Sequence, residues 1–142
     1  MINKTIAKFN IFIFDFFNGF GIFLRHEGKS TAGCAGAPGV LAFDREGNLI
    51  QHWGGPGPGY DWPESNHGIF VDHKGNVWIG GNDAKDAHIL KFTRSGKFLM
   101  QFGRLGKSAG SNDVESFSRV AKIIVDPKTN EAYVADGYGN KR

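Results

Sequence analysis

The residues best placed to do chemistry are Arg25, His67 and Tyr138, one ionisable side chain beside each of three short β-forming runs. His67 comes just before Ile69-Phe70-Val71, Tyr138 follows Ala132-Tyr133-Val134, and Arg25 follows Ile22-Phe23. In an up-and-down hairpin the start of the first strand and the end of the second lie together, so the three would gather at one end of the molecule. An imidazole, a phenol and a guanidinium in one place suit ligand binding or proton transfer. From spacing alone, the plainer reading of His67 and Tyr138 is as loop residues that cap a strand.

Other chemistry is thinly represented. The remaining His, at 26, 52, 73 and 88, are dispersed, and no group of His, Cys, Asp or Glu has the spacing of metal ligands. Cys34 is the single cysteine, so an internal disulfide is excluded. Gly28-Lys29-Ser30 and Gly106-Lys107-Ser108 imitate the end of a phosphate-binding loop, but the earlier glycine that motif needs is Phe23 in one case and Gln101 in the other. The run Gly54-Gly55-Pro56-Gly57-Pro58-Gly59 lacks the strand, helix and spacing of a dinucleotide site and reads as a loop.

The elements that must position these residues are repeats. Phe43 to Gly54, FDREGNLIQHWG, returns 49 residues later as Phe92 to Gly103, FTRSGKFLMQFG, with Phe, Arg and two Gly identical. A second unit interleaves with it. Ile69-Phe70-Val71-Asp72 and Val77-Trp78-Ile79 return as Ile123-Ile124-Val125-Asp126 and Ala132-Tyr133-Val134, displaced by 54 residues at Asp72 and 55 at Trp78, so one residue has entered the turn. Phe12-Ile13-Phe14-Asp15, Asn18-Gly19 and Ile22-Phe23 form an earlier copy.

Each unit reads as a β-hairpin, because short β-branched and aromatic runs flank Asn-Gly, Gly-Asn or Ser-Gly turns. The hairpins are expected near residues 9–24, 40–54, 69–79, 89–103 and 123–134. Two of them make a four-stranded sheet of about 50 residues, the size of one propeller blade. The expected fold is therefore all-β, a partial β-propeller of about two and a half blades spanning 1–142, with no second domain. Propellers close with roughly 4 to 8 blades, so the sequence reads as a fragment of a longer protein whose unpaired blade edges invite self-association.

Composition narrows the partners. The formal net charge of +3 comes from Lys and Arg scattered through the chain, whereas a nucleic-acid footprint is a basic patch. Phe9 to Leu24 is apolar and preceded by Lys4 and Lys8, the pattern of a targeting segment. Asp15 and Asn18-Gly19 interrupt it, which a hairpin explains and a membrane span does not. Hairpin and targeting segment both stand as readings of 9–24.

Asn66-His67-Gly68-Ile69 with Val71-Asp72-His73-Lys74-Gly75-Asn76-Val77-Trp78, and Val125-Asp126-Pro127-Lys128-Thr129-Asn130 with Ala135-Asp136-Gly137-Tyr138-Gly139-Asn140, resemble NHL repeats. Within that group the chain is most similar, from Val40 onward, to the peptidyl-α-hydroxyglycine α-amidating lyases and their bacterial relatives. The resemblance implies a six-bladed NHL-type propeller in an extracytoplasmic or secreted setting. It implies zinc and calcium as cofactors, and cleavage of a peptide or small hydroxy-amide substrate to an amide and glyoxylate. By the same resemblance His67 is one of three zinc-binding His, the Ile69 backbone carbonyl binds calcium, Tyr138 is the catalytic base and Arg25 is an essential arginine. The two remaining zinc ligands are expected beyond Arg142. A phenol is a poor base near neutral pH unless positive charge stabilises the phenolate, which zinc and an arginine would supply. The alternative is a non-catalytic NHL propeller that binds a protein, peptide or RNA at the same mouth.

Overall fold

The computed structural model describes residues 15–17, 20–24 and 38–142. They form ten strands and no helix: β1 (Asp15–Phe17), β2 (Phe20–Leu24), β3 (Val40–Phe43), β4 (Leu49–Trp53), β5 (Asn66–Val71), β6 (Val77–Gly81), β7 (His88–Phe92), β8 (Phe98–Gly103), β9 (Lys122–Val125) and β10 (Ala132–Ala135). The chain is all-β, as the alternating patterns require. Successive hairpins merge into sheets ordered β1-β2-β3-β4 and β5-β6-β7-β8, and β9 pairs with β10 alone, all antiparallel. Residues 9–14, Asn18-Gly19, Arg25 and Cys34 lie outside the described residues.

Two strands differ in extent from the sequence reading. β5 begins at Asn66 and β6 runs to Gly81, so His67 lies within its strand instead of just before it.

The repeats are repeats of turn chemistry. Gly47 and Gly96, equivalent at the 49-residue offset, both take left-handed φ values, 85° and 84°, which glycine adopts without a Cβ penalty. Asp44 Oδ1 accepts from the Asn48 amide at 2.7 Å, and in the second copy Thr93 Oγ1 accepts from the Lys97 amide at 3.0 Å. Asp72 and Asp126 likewise each hold the amide two residues on, at 3.0 Å and 2.7 Å. The longer second turn places Asn130 at φ 61° where the shorter has Gly75 at 78°. Asn is among the few side chains that tolerate this region.

The middle sheet is buried on both faces along β6, all five of whose residues are buried, while β8 at its edge is largely exposed. Ile69, Val71, Val77, Ile79, Leu90 and Phe92 pack with Val40 and Ala42 of β3 and with Trp62. On the other face Trp78 and Ile89, with Phe70, pack against Val120, Ile123 and Val125. This is period-two alternation serving two neighbours at once. β5, the first strand of its sheet, lies against β1 and β2 on one side and β9 on the other. The outer side of the β9–β10 sheet is bare: Ile124 is 47% and Tyr133 54% exposed, and with Lys122 and Ala135 they line an open groove of about 460 Å³.

Candidate functional site

His67 owes its direction to one extra residue in β5. His67 pairs with Gly80 and Ile69 with Ile79, leaving Gly68 without an opposite number in the ladder. Gly68 takes φ 71°, and such a bulge re-aims the neighbouring side chain. In an unbroken strand His67 would share the face of Ile69 and Val71, which pack toward β3. The bulge turns it instead toward the β9–β10 sheet. There its ring meets Tyr138 edge-on, with centroids 5.2 Å apart and planes at 82°. Small residues make room: a Cβ on Gly80 would stand 3.1 Å from the Val120 side chain and one on Gly68 3.4 Å from the Ala121 carbonyl oxygen.

Tyr138 is presented by a tight clamp beyond β10. The buried Asp136 carboxylate accepts from the Ser118 amide at 2.7 Å, from Asn140 Nδ2 at 2.6 Å and from Arg142 Nε at 2.9 Å. Arg142 also donates to the carbonyls of Ser111, Asp113 and Ser116, fixing the loop that leads into β9. The Gly139 amide donates to the Ser118 carbonyl at 3.0 Å. Tyr138 rides on this turn with its side chain 53% exposed.

A second clamp holds the equivalent end of the middle sheet. The Asp86 carboxylate, fully buried, accepts from the amides of Glu64 (2.9 Å), Ser65 (3.1 Å) and Asp83 (2.9 Å). Burial pushes its pKa up, against the opposing pull of those amides and of His88. His88 Nε2 lies 2.8 Å from the Asp61 carbonyl. A carbonyl only accepts, so Nε2 carries the proton, and among the described residues the buried Nδ1 has no partner. Asp86 and His88 stand 54 residues before Asn140 and Arg142. Gly81, 55 before Asp136, has no side chain because the Asp86 carboxylate occupies that space.

Between the two clamps lies Arg119, which the repeat pattern did not single out. Its backbone is left-handed at φ 61°, its amide donates to the Asp86 carbonyl at 2.9 Å and its Nε donates to the Asn82 carbonyl at 2.8 Å. A spatial signal was needed to find it, because nothing in its spacing marks it.

The structure therefore brings His67 and Tyr138 together, while Arg25 falls outside the described residues. Ile69 is 4% exposed, in mid-strand opposite Ile79. Among the described residues no three His, Cys, Asp or Glu side chains form a group able to hold a metal ion. His52 and His73 belong to β4 and to the β5–β6 turn, and His88 is committed to Asp61. The described residues thus do not by themselves make a three-His zinc site, nor the cage of about six to eight oxygens that calcium takes. What the geometry offers is a partly buried imidazole, its Nδ1 shielded from solvent, in contact with a half-exposed phenol. No family model matches the chain.

Proposed function

We propose that the chain is built as NHL-type β-propeller blades, two of four strands and one begun by β9 and β10, and that its functional mouth is the His67–Tyr138 pair. The activity we assign to that mouth is lyase-like cleavage of a peptidyl-α-hydroxyglycine. The observation that carries this reading is the edge-on ring contact at 5.2 Å between a residue of β5 and one on the turn beyond β10.

Tyr138 is the base. It takes the proton of the substrate hydroxyl, the oxygen electrons form the aldehyde carbonyl, and the carbon–nitrogen pair leaves with the amide nitrogen, which is then protonated. The products are a peptide amide and glyoxylate. His67 fixes the phenol's orientation through the ring contact. The described residues form no metal's ligand set, so the positive charge that a phenolate base requires must be supplied by groups outside them.

The absence of a three-ligand group around His67 among the described residues favours a second reading, in which the same mouth binds a peptide without chemistry. Glyoxylate release from an α-hydroxyglycine peptide separates the two. The lyase reading expects release that falls at least about 100-fold in Tyr138→Phe. Release unchanged by Tyr138→Phe overturns the assigned base, and peptide binding with no release establishes the second reading.

A further inference from the structure

We infer that the turn end of the middle sheet, opposite the His67–Tyr138 mouth, carries an anion site, and that it takes a phosphate-type oxyanion, free or as the monoester of a small molecule.

The site is an open groove of about 530 Å³ where three hairpins meet. Its wall is made by Lys74 of the β5–β6 turn, by Thr93, Arg94 and Ser95 of the β7–β8 turn, and by Gln51 of β4 in the neighbouring sheet. Both charged residues in the wall are cations, and among the described residues no carboxylate lines it. Asp72, the acid nearest Lys74 along the chain, is fully buried, where Trp78 Nε1, Asn76 and Lys91 engage its carboxylate.

The internal repeat shows that this charge is particular to the groove. At the 49-residue offset the β7–β8 turn keeps the arginine of the β3–β4 turn, Arg45 corresponding to Arg94, but Asp44 and Glu46 give way to Thr93 and Ser95. Two carboxylates are exchanged for two hydroxyls at one place. The turn itself does not need the exchange, because Asp44 Oδ1 and Thr93 Oγ1 accept the same bond from the amide four residues on. What the exchange does change is the local field, which is left positive.

The donors are also held in place. Asp72 Oδ1 accepts from the Lys74 amide at 3.0 Å, and Trp53 Nε1 donates to the Arg94 carbonyl at 3.1 Å. The β7–β8 turn rests so closely on that indole that a Cβ on Gly96 would stand 2.7 Å from it. Thr93 Oγ1 and Ser95 Oγ lie 3.0 Å apart, and two hydroxyls sharing one hydrogen bond leave one hydrogen to donate outward. A guanidinium fork, an ammonium and a hydroxyl together suit the three acceptor oxygens of a phosphate better than the two of a carboxylate. The groove falls within the range of small-molecule sites, about 300–1,000 Å³, which leaves room for a carrier.

The test is an NMR titration read at the Gly75 and Gly96 amides, at about 0.15 M ionic strength, where exposed charges outside the groove are screened. Inorganic phosphate, phenyl phosphate and acetate are the probes. The expected result is saturable shifts, with phosphate binding at least about tenfold tighter than acetate, the gain of one further charge-assisted hydrogen bond. Arg94→Gln should weaken phosphate by at least about tenfold on the same ground. Thr93→Asp combined with Ser95→Glu rebuilds the acidic turn that the first copy shows to fold, and should abolish binding while leaving the melting temperature unchanged. Lys128→Glu, at the equivalent of Lys74 in the β9–β10 turn, removes the same net charge and should alter binding by less than about twofold. Tighter binding of phenyl phosphate assigns the site to a monoester and tighter binding of inorganic phosphate to the free ion, and either upholds the inference. Absence of saturable shifts, equal binding of phosphate and acetate, binding that survives the rebuilt acidic turn, or a loss in Lys128→Glu as large as in Arg94→Gln overturns it.

Discussion

Gly68 is the position where a single methyl group tests how the site is built. At φ 71° an alanine would cost about 1–2 kcal/mol in left-handed strain. Loss of glycine's freedom in the unfolded chain returns about 0.4–1 kcal/mol. The new Cβ would stand 3.4 Å from the Ala121 oxygen, an ordinary contact that adds no packing penalty. The net cost of Gly68→Ala is therefore about 1 kcal/mol, or a fall of ~3–5 °C in Tm for a chain of this size. Gly68→Asn should cost less, since Asn tolerates the same backbone. Thermal unfolding measures the cost, and a nuclear Overhauser contact between the His67 and Tyr138 rings reports the geometry. If the strand escapes the strain by leaving the left-handed region, the bulge closes, His67 rotates toward the face of Ile69, and the ring contact is lost. An alanine variant that melts within about 1 °C of the wild type with the ring contact intact would refute the assignment of the bulge to Gly68. So would an asparagine variant as costly as alanine.

Three further outcomes follow from buried and bare surfaces. Burial raises the pKa of Asp86, so the folded state takes up its proton more readily than the unfolded chain, whose Asp titrates near about 3.9. Its contribution to stability is fully present below that value and is lost as pH rises through the folded pKa. Stability should therefore rise as pH falls from neutral toward that range, a rise that Asp86→Asn lacks in urea midpoints measured across pH. For Asp72 burial is again the largest influence and pushes upward, but donors from Trp78, Asn76 and Lys74 together outweigh it and leave the pKa lowered. Its stabilisation is present above about 3.9 and disappears as pH falls through the folded value, so Asp72→Asn flattens the acid limb. Lastly, the bare outer face of β9–β10, with Ile124 and Tyr133 half exposed, predicts self-association that sedimentation will detect and Ile124→Lys will reduce. A monomer at all concentrations in the wild type would refute this.

Much of the architecture is written locally. A hairpin's register follows from its turn and from period-two alternation, so the repeats at Phe43 and Phe92, and at Asp72 and Asp126, were enough to place strands to within a few residues. Gly47 and Gly96 repeat because the same left-handed turn repeats. The start of β5 was missed because Asn66-His67-Gly68 carries no β-forming pattern. Those residues become strand by pairing with Gly80 and Gly81, residues that are themselves poor strand formers.

The site divides the same way. Sequence alone determined that His67 and Tyr138 stand near corresponding strand ends, because hairpin connectivity fixes which ends coincide. Only the tertiary structure decided that the two rings touch, since the contact joins β5 to the turn beyond β10 and depends on the bulge at Gly68. Only it revealed Asp86, His88 and Arg119 as the groups tying loops to sheet ends. A glycine in a strand pattern reads equally as weakness, bulge or close approach, and one residue more or less sends a side chain to the opposite face. The bulge packs beside Val120 and the Ala121 carbonyl, just before β9, a neighbourhood that no local pattern around His67 encodes.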